Sequence, residues 1–216
     1  MVDELRRAYH DRIGELHVQT VALVGDASAA VAGVTSAFLD KDREAAAAVA
    51  VSATEAGVRV VAVEAEVLDL LAQQAPVARD LRLVLAGLRI AQIADLCFGL
   101  AGALAGRVWS AAEVLTPALR DLMGQMGAES AALLERADQA WRVVDERLAA
   151  AVVSEAERSR GLQRRFLAEL IGLTVVPMES AVDLGLVARA YERLTDHAVE
   201  IAGRVIFAAT GAVLAP

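Results

Sequence analysis

The chain has 216 residues, of which 56% are hydrophobic and only 4% are aromatic, and its formal net charge is −8. An apolar fraction built mainly of Ala, Val and Leu favours closely packed helices over a sheet-rich fold. The negative charge argues against DNA or RNA as a partner, because nucleic-acid binders need a concentrated cationic face.

Apolar periodicity predicts six long helices along the chain. They cover residues 3–36, 40–73, 76–108, 117–138, 141–172 and 178–210. Pro76 lies at one predicted helix start. Thr116 and Pro117 predict another, because a capping side chain is followed by a proline at the first helical position. Gly211 predicts the end of the last helix.

The third predicted helix repeats in the sixth at an offset of 97 residues. In this register the tetrapeptide 105–108 is identical to 202–205, and Asp95 falls on Glu192. The two middle helices repeat as well, at a slightly larger offset. Short connections make sequential helices antiparallel, so the repeat predicts an all-α protein of two tandem, similar three-helix bundles.

The predicted boundary between the two repeats lies near residue 108. The first three-helix repeat then occupies residues 1–108 and the second occupies 109–216.

A cytoplasmic location is predicted. Residues Met1–His10 carry charges without a following apolar region, so no signal peptide is expected. The longest strongly apolar stretch, Leu96–Gly106, is judged too short to span a bilayer. The single cysteine, Cys97, rules out an intrachain disulfide and fits a reducing compartment.

Two stretches of the chain resemble signatures of the PhoU family of phosphate-signalling regulators. The first, Leu70–Arg82, is similar to the segment that joins the family's second and third helices, except that Ala75 replaces the usual Gln. The second, Arg189–Ala202, is similar to the signature of the last helix, with Glu200 in place of the usual Asn. With six helices in two repeats, the resemblance spans the whole chain.

The resemblance implies a regulator of phosphate uptake and phosphate homeostasis that represses the phosphate-starvation response. The implied partners are the ATPase subunit of a phosphate ABC transporter and a two-component sensor histidine kinase. A homodimer is expected, with the membrane reached only through these partners. Two alternatives remain open: a metal-binding helical bundle without a role in phosphate signalling, and a diverged paralogue that regulates another transporter.

Glu192 and Asp196 are the candidate metal ligands. They are four residues apart on a predicted helix, so their carboxylates lie side by side, and a cation with oxygen ligands would relieve their repulsion. The resemblance implies iron or zinc at such pairs. The first repeat has Asp95 and Gly99 at the matching positions, so only the second repeat offers a pair.

Other residues argue for an ordinary surface at this place. Arg189 and Arg193 each precede an acid by three residues and can neutralise it as a weak ion pair. Gly57 and Arg160 stand near positions where the family carries further acids. Any metal is therefore expected to be weakly held.

No enzyme activity is expected. The sequence contains no GxxxxGK[ST], HExxH or GxSxG motif. A ferritin-like di-iron oxidase needs Glu-x-x-His on two helices, whereas the residues three before the histidines are Arg7, Gly14 and Leu194.

Overall fold

The computed structural model of this chain describes residues 2–74, 76–107 and 115–213. These residues form six helices and their connections, with no strand among them. The helices are α1 (Val2–Asp40), α2 (Arg43–Gln74), α3 (Ala78–Ala105), α4 (Pro117–Val143), α5 (Glu146–Ile171) and α6 (Met178–Thr210). The predicted all-α class is confirmed.

Four helices form the centre of the molecule, and the other two cover it. Helix α1 packs against α3 and α4, and α6 packs against the same two helices. Helix α2 covers α1 and α3, while α5 covers α4 and α6. Each half is thus a three-helix bundle, and one continuous apolar core runs through both halves.

The heptad of α6 supplies a large part of this core, as the sequence predicted. Its buried positions keep the 3-4 spacing expected of helices packed at a shallow angle. They are Leu184, Val187, Tyr191, Leu194, Ala198, Ile201, Val205 and Ala208.

The connection from the first to the second helix is the same in both halves. Lys41 and Val144 each take the left-handed conformation, with φ of 56° and 51°. The next residues, Asp42 and Asp145, each accept two hydrogen bonds from the first backbone amides of the following helix, at 2.7–3.0 Å. These caps satisfy donors that the helix itself leaves free. The two turns are 103 residues apart and confirm the repeat of the middle helices.

Some helix ends differ from the prediction. Helix α3 begins at Ala78 because Val77 is extended and Ala78 itself has φ of 50°. Helix α4 continues to Val143 because Trp141, a core residue, lies in its last turn. The cap at Thr116 and the stop at Gly211, with φ of 84°, are confirmed.

Part of the predicted repeat falls outside the described ranges. The boundary near residue 108, the last residue of the first tetrapeptide, and Ala75 are not described, so the division into 1–108 and 109–216 stays a prediction.

Three helices of the first half are long and apolar enough to cross a bilayer, judged by length and composition alone. They are α1, α2 and α3. The prediction from Leu96–Gly106 is therefore wrong on length, because longer apolar runs in these helices include a charged residue or two. These helices differ in how much of their most apolar segment the bundle buries. About half of this segment is buried in α1 and in α3, but only 22% of it is buried in α2.

Two buried hydrogen bonds join the two halves. The Trp141 Nε1 group donates to Thr20 Oγ1 at 2.9 Å, and Thr35 Oγ1 lies 2.8 Å from the hydroxyl of Tyr191. These four side chains are buried, so each bond satisfies a group that water cannot reach.

Candidate functional site

The two predicted metal ligands lie together on the outer face of α6. The side chains of Glu192 and Asp196 are 39% and 48% exposed. Arg189, one turn earlier, donates to Glu192, and the pKa of Arg189 is raised chiefly by this hydrogen bond. Arg160 reaches across from α5 and places Nη2 3.1 Å from Asp196 Oδ1. Each carboxylate therefore has a guanidinium partner.

Arg160 belongs to a longer chain of ion pairs along α5. Its Nη1 atom lies 3.7 Å from Glu157 Oε2, and Arg164 Nη2 lies 2.8 Å from the other oxygen of the same carboxylate. The pKa of Glu157 is lowered, mainly by the hydrogen bond from Arg164. Arg160 and Arg164 of α5 thus neutralise acids on α5 and α6.

This donor set does not fit a closed iron or zinc site. Within the described residues, no group of three or more His, Cys, Asp or Glu side chains comes close enough to hold an ion. A structural zinc site uses four protein ligands, whereas Glu192 and Asp196 supply two. The Arg160 guanidinium occupies the space beside Asp196 and repels a cation. Metal at this pair stays a prediction.

The matching positions of the first half carry fewer charges. Asp95 is exposed on α3, and α2 approaches it with Gly57. A Cβ atom added to Gly57 would lie 3.7 Å from Asp95 Oδ1. Gly57 is equivalent to Arg160 at an offset of 103 residues, whereas Asp95 is equivalent to Glu192 and the equivalent of Asp196 is Gly99, so neither the arginine nor the second acid is present in the first half.

A buried polar cluster lies beneath the charged face of the second half. Thr195 Oγ1 donates to the Tyr191 carbonyl at 3.1 Å and lies 2.7 Å from Ser159 Oγ. Ser130 Oγ and Gln163 Nε2 approach the same hydroxyl at 3.5 Å. The cluster links α4, α5 and α6, and all four side chains are buried.

Sequence reasoning missed this cluster, although the repeat contains the signal for it. The equivalent positions of the first half follow from offsets of 103 residues for the first two helices of each repeat and 97 for the third. They are Ala27, Ala56, Val60 and Phe98. All four are buried and apolar. The polar cluster is therefore a feature of the second half and not of the shared fold.

The first signature stretch has a structural role within the chain. Arg82 Nε donates to the Ala208 carbonyl at 3.4 Å, and its side chain lies beside Gly211. A cation there interacts favourably with the carboxyl end of α6. The Asp80 carboxylate contacts Tyr9, whose pKa is raised by burial and by this carboxylate. The stretch thus connects α3 to α1 and to the carboxyl end of α6.

His197 follows Asp196 in α6 but is buried, unlike the two candidate ligands. Its side chain is buried, and Nδ1 lies 3.6 Å from Glu200 Oε2. Burial lowers the pKa of His197, while Glu200 opposes this shift.

Comparison with known proteins decides the family. A family model described as the PhoU domain matches residues 123–205. The phosphate-specific transport system accessory protein PhoU homolog 1 of Mycobacterium leprae is 31% identical over 96% of this chain and 95% of its own length. This chain belongs to the PhoU family. PhoU homolog 2 of Mycobacterium tuberculosis is 32% identical over 96% of this chain and 99% of its own length.

Solved PhoU structures have the same fold. The crystal structure of the phosphate transport system regulatory protein PhoU from Streptococcus pneumoniae superposes with a TM-score of 0.88 at 19% identity, covering 96% of this chain and 100% of that one. PhoU from Pseudomonas aeruginosa gives 0.84 at 20% identity, covering 95% and 99%. The six-helix arrangement is thus common to distant members.

Proposed function

We propose that this PhoU-family chain is a cytoplasmic regulator of phosphate uptake that represses the phosphate-starvation response when phosphate is plentiful. The observation that carries this proposal is the match to curated phosphate-transport accessory proteins along 96% of the chain, at 31–32% identity. The match includes both halves, so the proposal concerns the whole chain and not one domain.

The proposed mechanism is binding, with no chemical step of its own. The chain links the ATPase subunit of a phosphate ABC transporter to a two-component sensor histidine kinase, and it reaches the membrane only through them. The charged face of α5 and α6 supports this role, because its arginines and acids are exposed and arranged as pairs. Charged faces of this kind give specificity and a salt-dependent association rate.

Gene deletion tests the regulatory proposal. We expect derepression of phosphate-starvation genes in phosphate-rich medium, and loss of this derepression when the sensor kinase gene is also deleted. Unchanged expression in the single deletion would contradict the proposal. If the expression of a different transporter changed instead, the diverged-paralogue alternative would be supported.

Direct binding tests the proposed partners. Purified chain is titrated against the transporter ATPase subunit and the kinase at two salt concentrations, with Arg160→Ala beside the wild type. We expect Arg160→Ala to weaken one of the two complexes and to leave the helical content unchanged. Wild-type binding to neither protein would contradict the proposed linkage.

We also propose that any transition metal bound by this chain is held weakly at Glu192 and Asp196. The support is that these are two adjacent carboxylates on an exposed helix face, with Arg189 and Arg160 competing for them. Elemental analysis of protein purified without added metal tests this, with Glu192→Ala and Asp196→Ala as variants. A stoichiometric cluster that survives both substitutions would contradict it.

A homodimer is proposed as the working form. The exposed apolar face of α2 supports self-association.

A further inference from the structure

The outer face of α2 carries a heptad of exposed, mostly apolar residues that no part of the described chain covers. We call it the outer stripe. Its positions alternate steps of four and three residues, and all of them are exposed: Ala47, Val51, Thr54, Val58, Val61, Ala65, Leu68 and Ala72. The four largest members, Val51, Val58, Val61 and Leu68, are 59–72% exposed. Exposed apolar residues scattered singly are common, but a continuous stripe indicates a partner.

The second half shows that the fold does not require this stripe. At an offset of 103 residues, the same face of α5 has Ala150, Ser154, Glu157, Gly161, Arg164, Ala168 and Ile171. Its centre is the Glu157–Arg164 ion pair at 2.8 Å. Two equivalent helices in one chain therefore present different chemistry to the outside, because the centre of this face is charged in α5 and apolar in α2.

The spacing of the stripe indicates what covers it. An apolar repeat of seven residues keeps facing a second helix that runs alongside, as in a coiled coil. The stripe is also symmetric about a point between residues 59 and 60. An antiparallel copy of α2 therefore sets Val58 against Val61, Thr54 against Ala65, Val51 against Leu68 and Ala47 against Ala72. Each pair repeats across a two-fold axis, as an isologous dimer requires.

The flanking charges favour the antiparallel direction. On one side of the stripe lie Ala48, Glu55, Ala62 and Asp69, and on the other lie Ala50, Gly57, Glu64 and Leu71. Antiparallel pairing sets each of these acids against an alanine or glycine of the other copy. Parallel pairing in register sets Glu64 of each copy beside Asp69 of the other. These like charges repel.

A bilayer fits the stripe less well than a second helix does. Helices that lie on anionic membranes carry Lys and Arg on their polar face. Helix α2 has five acidic residues and only two arginines, Arg43 and Arg59. Arg59 already pairs with Asp26 at 2.6 Å. The net negative charge of α2 opposes an anionic surface.

We propose that two copies of this chain associate through the outer stripe as an antiparallel pair of α2 helices. This inference rests on the homodimer of the proposed function and adds its surface and direction. The stripe runs for about 38 Å and is one helix wide, which places the contact among small interfaces. The dimer is therefore concentration-dependent.

Disulfide cross-linking of the full chain tests the direction of the pair. The native Cys97 is fully buried, and burial raises the pKa of its thiol, so the wild type serves as the unreactive control. We expect a cross-linked dimer when Val51→Cys and Leu68→Cys chains are mixed, and none from either variant alone. A cross-link from Val51→Cys alone would overturn the proposal. So would the absence of any cross-link in the mixture.

Sedimentation velocity tests the surface. Val58→Asp places a charge near the two-fold axis, and we expect it to raise the dimer dissociation constant roughly 30-fold or more. The matched control is Val18→Asp on α1, because this valine is 66% exposed and is not a member of the stripe. An equal effect of both substitutions, or a wild type that stays monomeric at high concentration, would overturn the proposal.

Two further measurements separate this proposal from others. Flotation with vesicles containing anionic lipid should leave the wild type unbound, and binding that Val58→Asp abolishes would assign the stripe to a bilayer. Deletion of the gene tests the regulatory role without reference to the dimer. A monomeric wild type that still restores repression in the deletion strain would refute only the dimer, whereas a dimer without a regulatory effect would refute only the function.

Discussion

Gly127 lies at a close approach between helices of the two halves, and its replacement by alanine tests their packing. A Cβ atom at this position would lie 2.2 Å from Thr35 Cγ2, 2.3 Å from Thr35 Oγ1 and 2.7 Å from Thr35 Cβ. Rotation of the Thr35 side chain cannot relieve all three contacts, because its Cβ is fixed to the backbone of α1. Helices α1 and α4 must therefore move apart.

The magnitude follows from opposing effects. Overpacking of a well-packed core costs about 1–3 kcal/mol. Thr35 also bonds to the Tyr191 hydroxyl at 2.8 Å, and loss of that bond adds about 1 kcal/mol. Alanine gains about 1 kcal/mol over glycine in a helix interior. We expect Gly127→Ala to lower the free energy of unfolding by about 1–3 kcal/mol after these are combined.

Gly99→Ala is the matched control. Nothing lies within 4 Å of a Cβ atom added to Gly99, so the substitution should gain roughly 0.5–1 kcal/mol from helix propensity alone. Equilibrium denaturation in urea, followed by far-ultraviolet circular dichroism, measures both variants, and equal slopes make the midpoints comparable. If Gly127→Ala were as stable as Gly99→Ala, the close approach of α1 and α4 would be wrong.

Three further changes test other parts of the chain. Asp42→Ala and Asp145→Ala each remove a cap that accepts two amide hydrogen bonds, and urea denaturation should show a loss of about 1 kcal/mol in both. Thr195→Val leaves the buried Ser159 hydroxyl without its partner, and the same assay should show a loss of about 1–3 kcal/mol that is smaller when Ser159→Ala is also present. Because burial lowers the pKa of His197, the unfolded chain binds more protons below about pH 6.5, so stability falls as the pH drops from there. Denaturation midpoints measured from about pH 6.5 downwards should vary less with pH for His197→Gln than for the wild type. An equal pH dependence of the two proteins would contradict the role of His197.

Periodicity and repeats made most of the fold predictable. The heptad of α6 predicts its buried face because core packing requires the same spacing that the sequence shows. The resemblance of residues 42–49 to 145–152 also contains the two aspartate caps. The end of α4 was placed too early because Asp138, a charged residue, interrupts the apolar pattern, although it is buried in the structure.

The contacts of the candidate site were less predictable because they depend on how helices rotate against each other. Arg160 and Asp196 lie 36 residues apart, on helices whose relative rotation no local pattern determines. The same holds for the hydroxyl of Thr195, which meets Ser159 on another helix. A comparison of the two repeats position by position would have shown polar residues replacing apolar ones, and thus the existence of the cluster but not its bonds.

The two halves have diverged in complementary ways, and their placement gives this a consequence for the proposed function. The first half has buried apolar residues at the positions of the second half's buried polar cluster, and the outer face of its helix α2 is mostly apolar, whereas the outer face of α5 is charged at its centre. Because α2 packs on α1 and α3 while α5 packs on α4 and α6, the two outer helices cover different pairs of central helices. A dimer through the outer stripe of α2 therefore leaves the ion-paired surface around Arg160 uncovered. Each copy keeps that surface for the transporter or the kinase, so dimer formation and partner binding should be independent, with Val58→Asp affecting only the first and Arg160→Ala only the second.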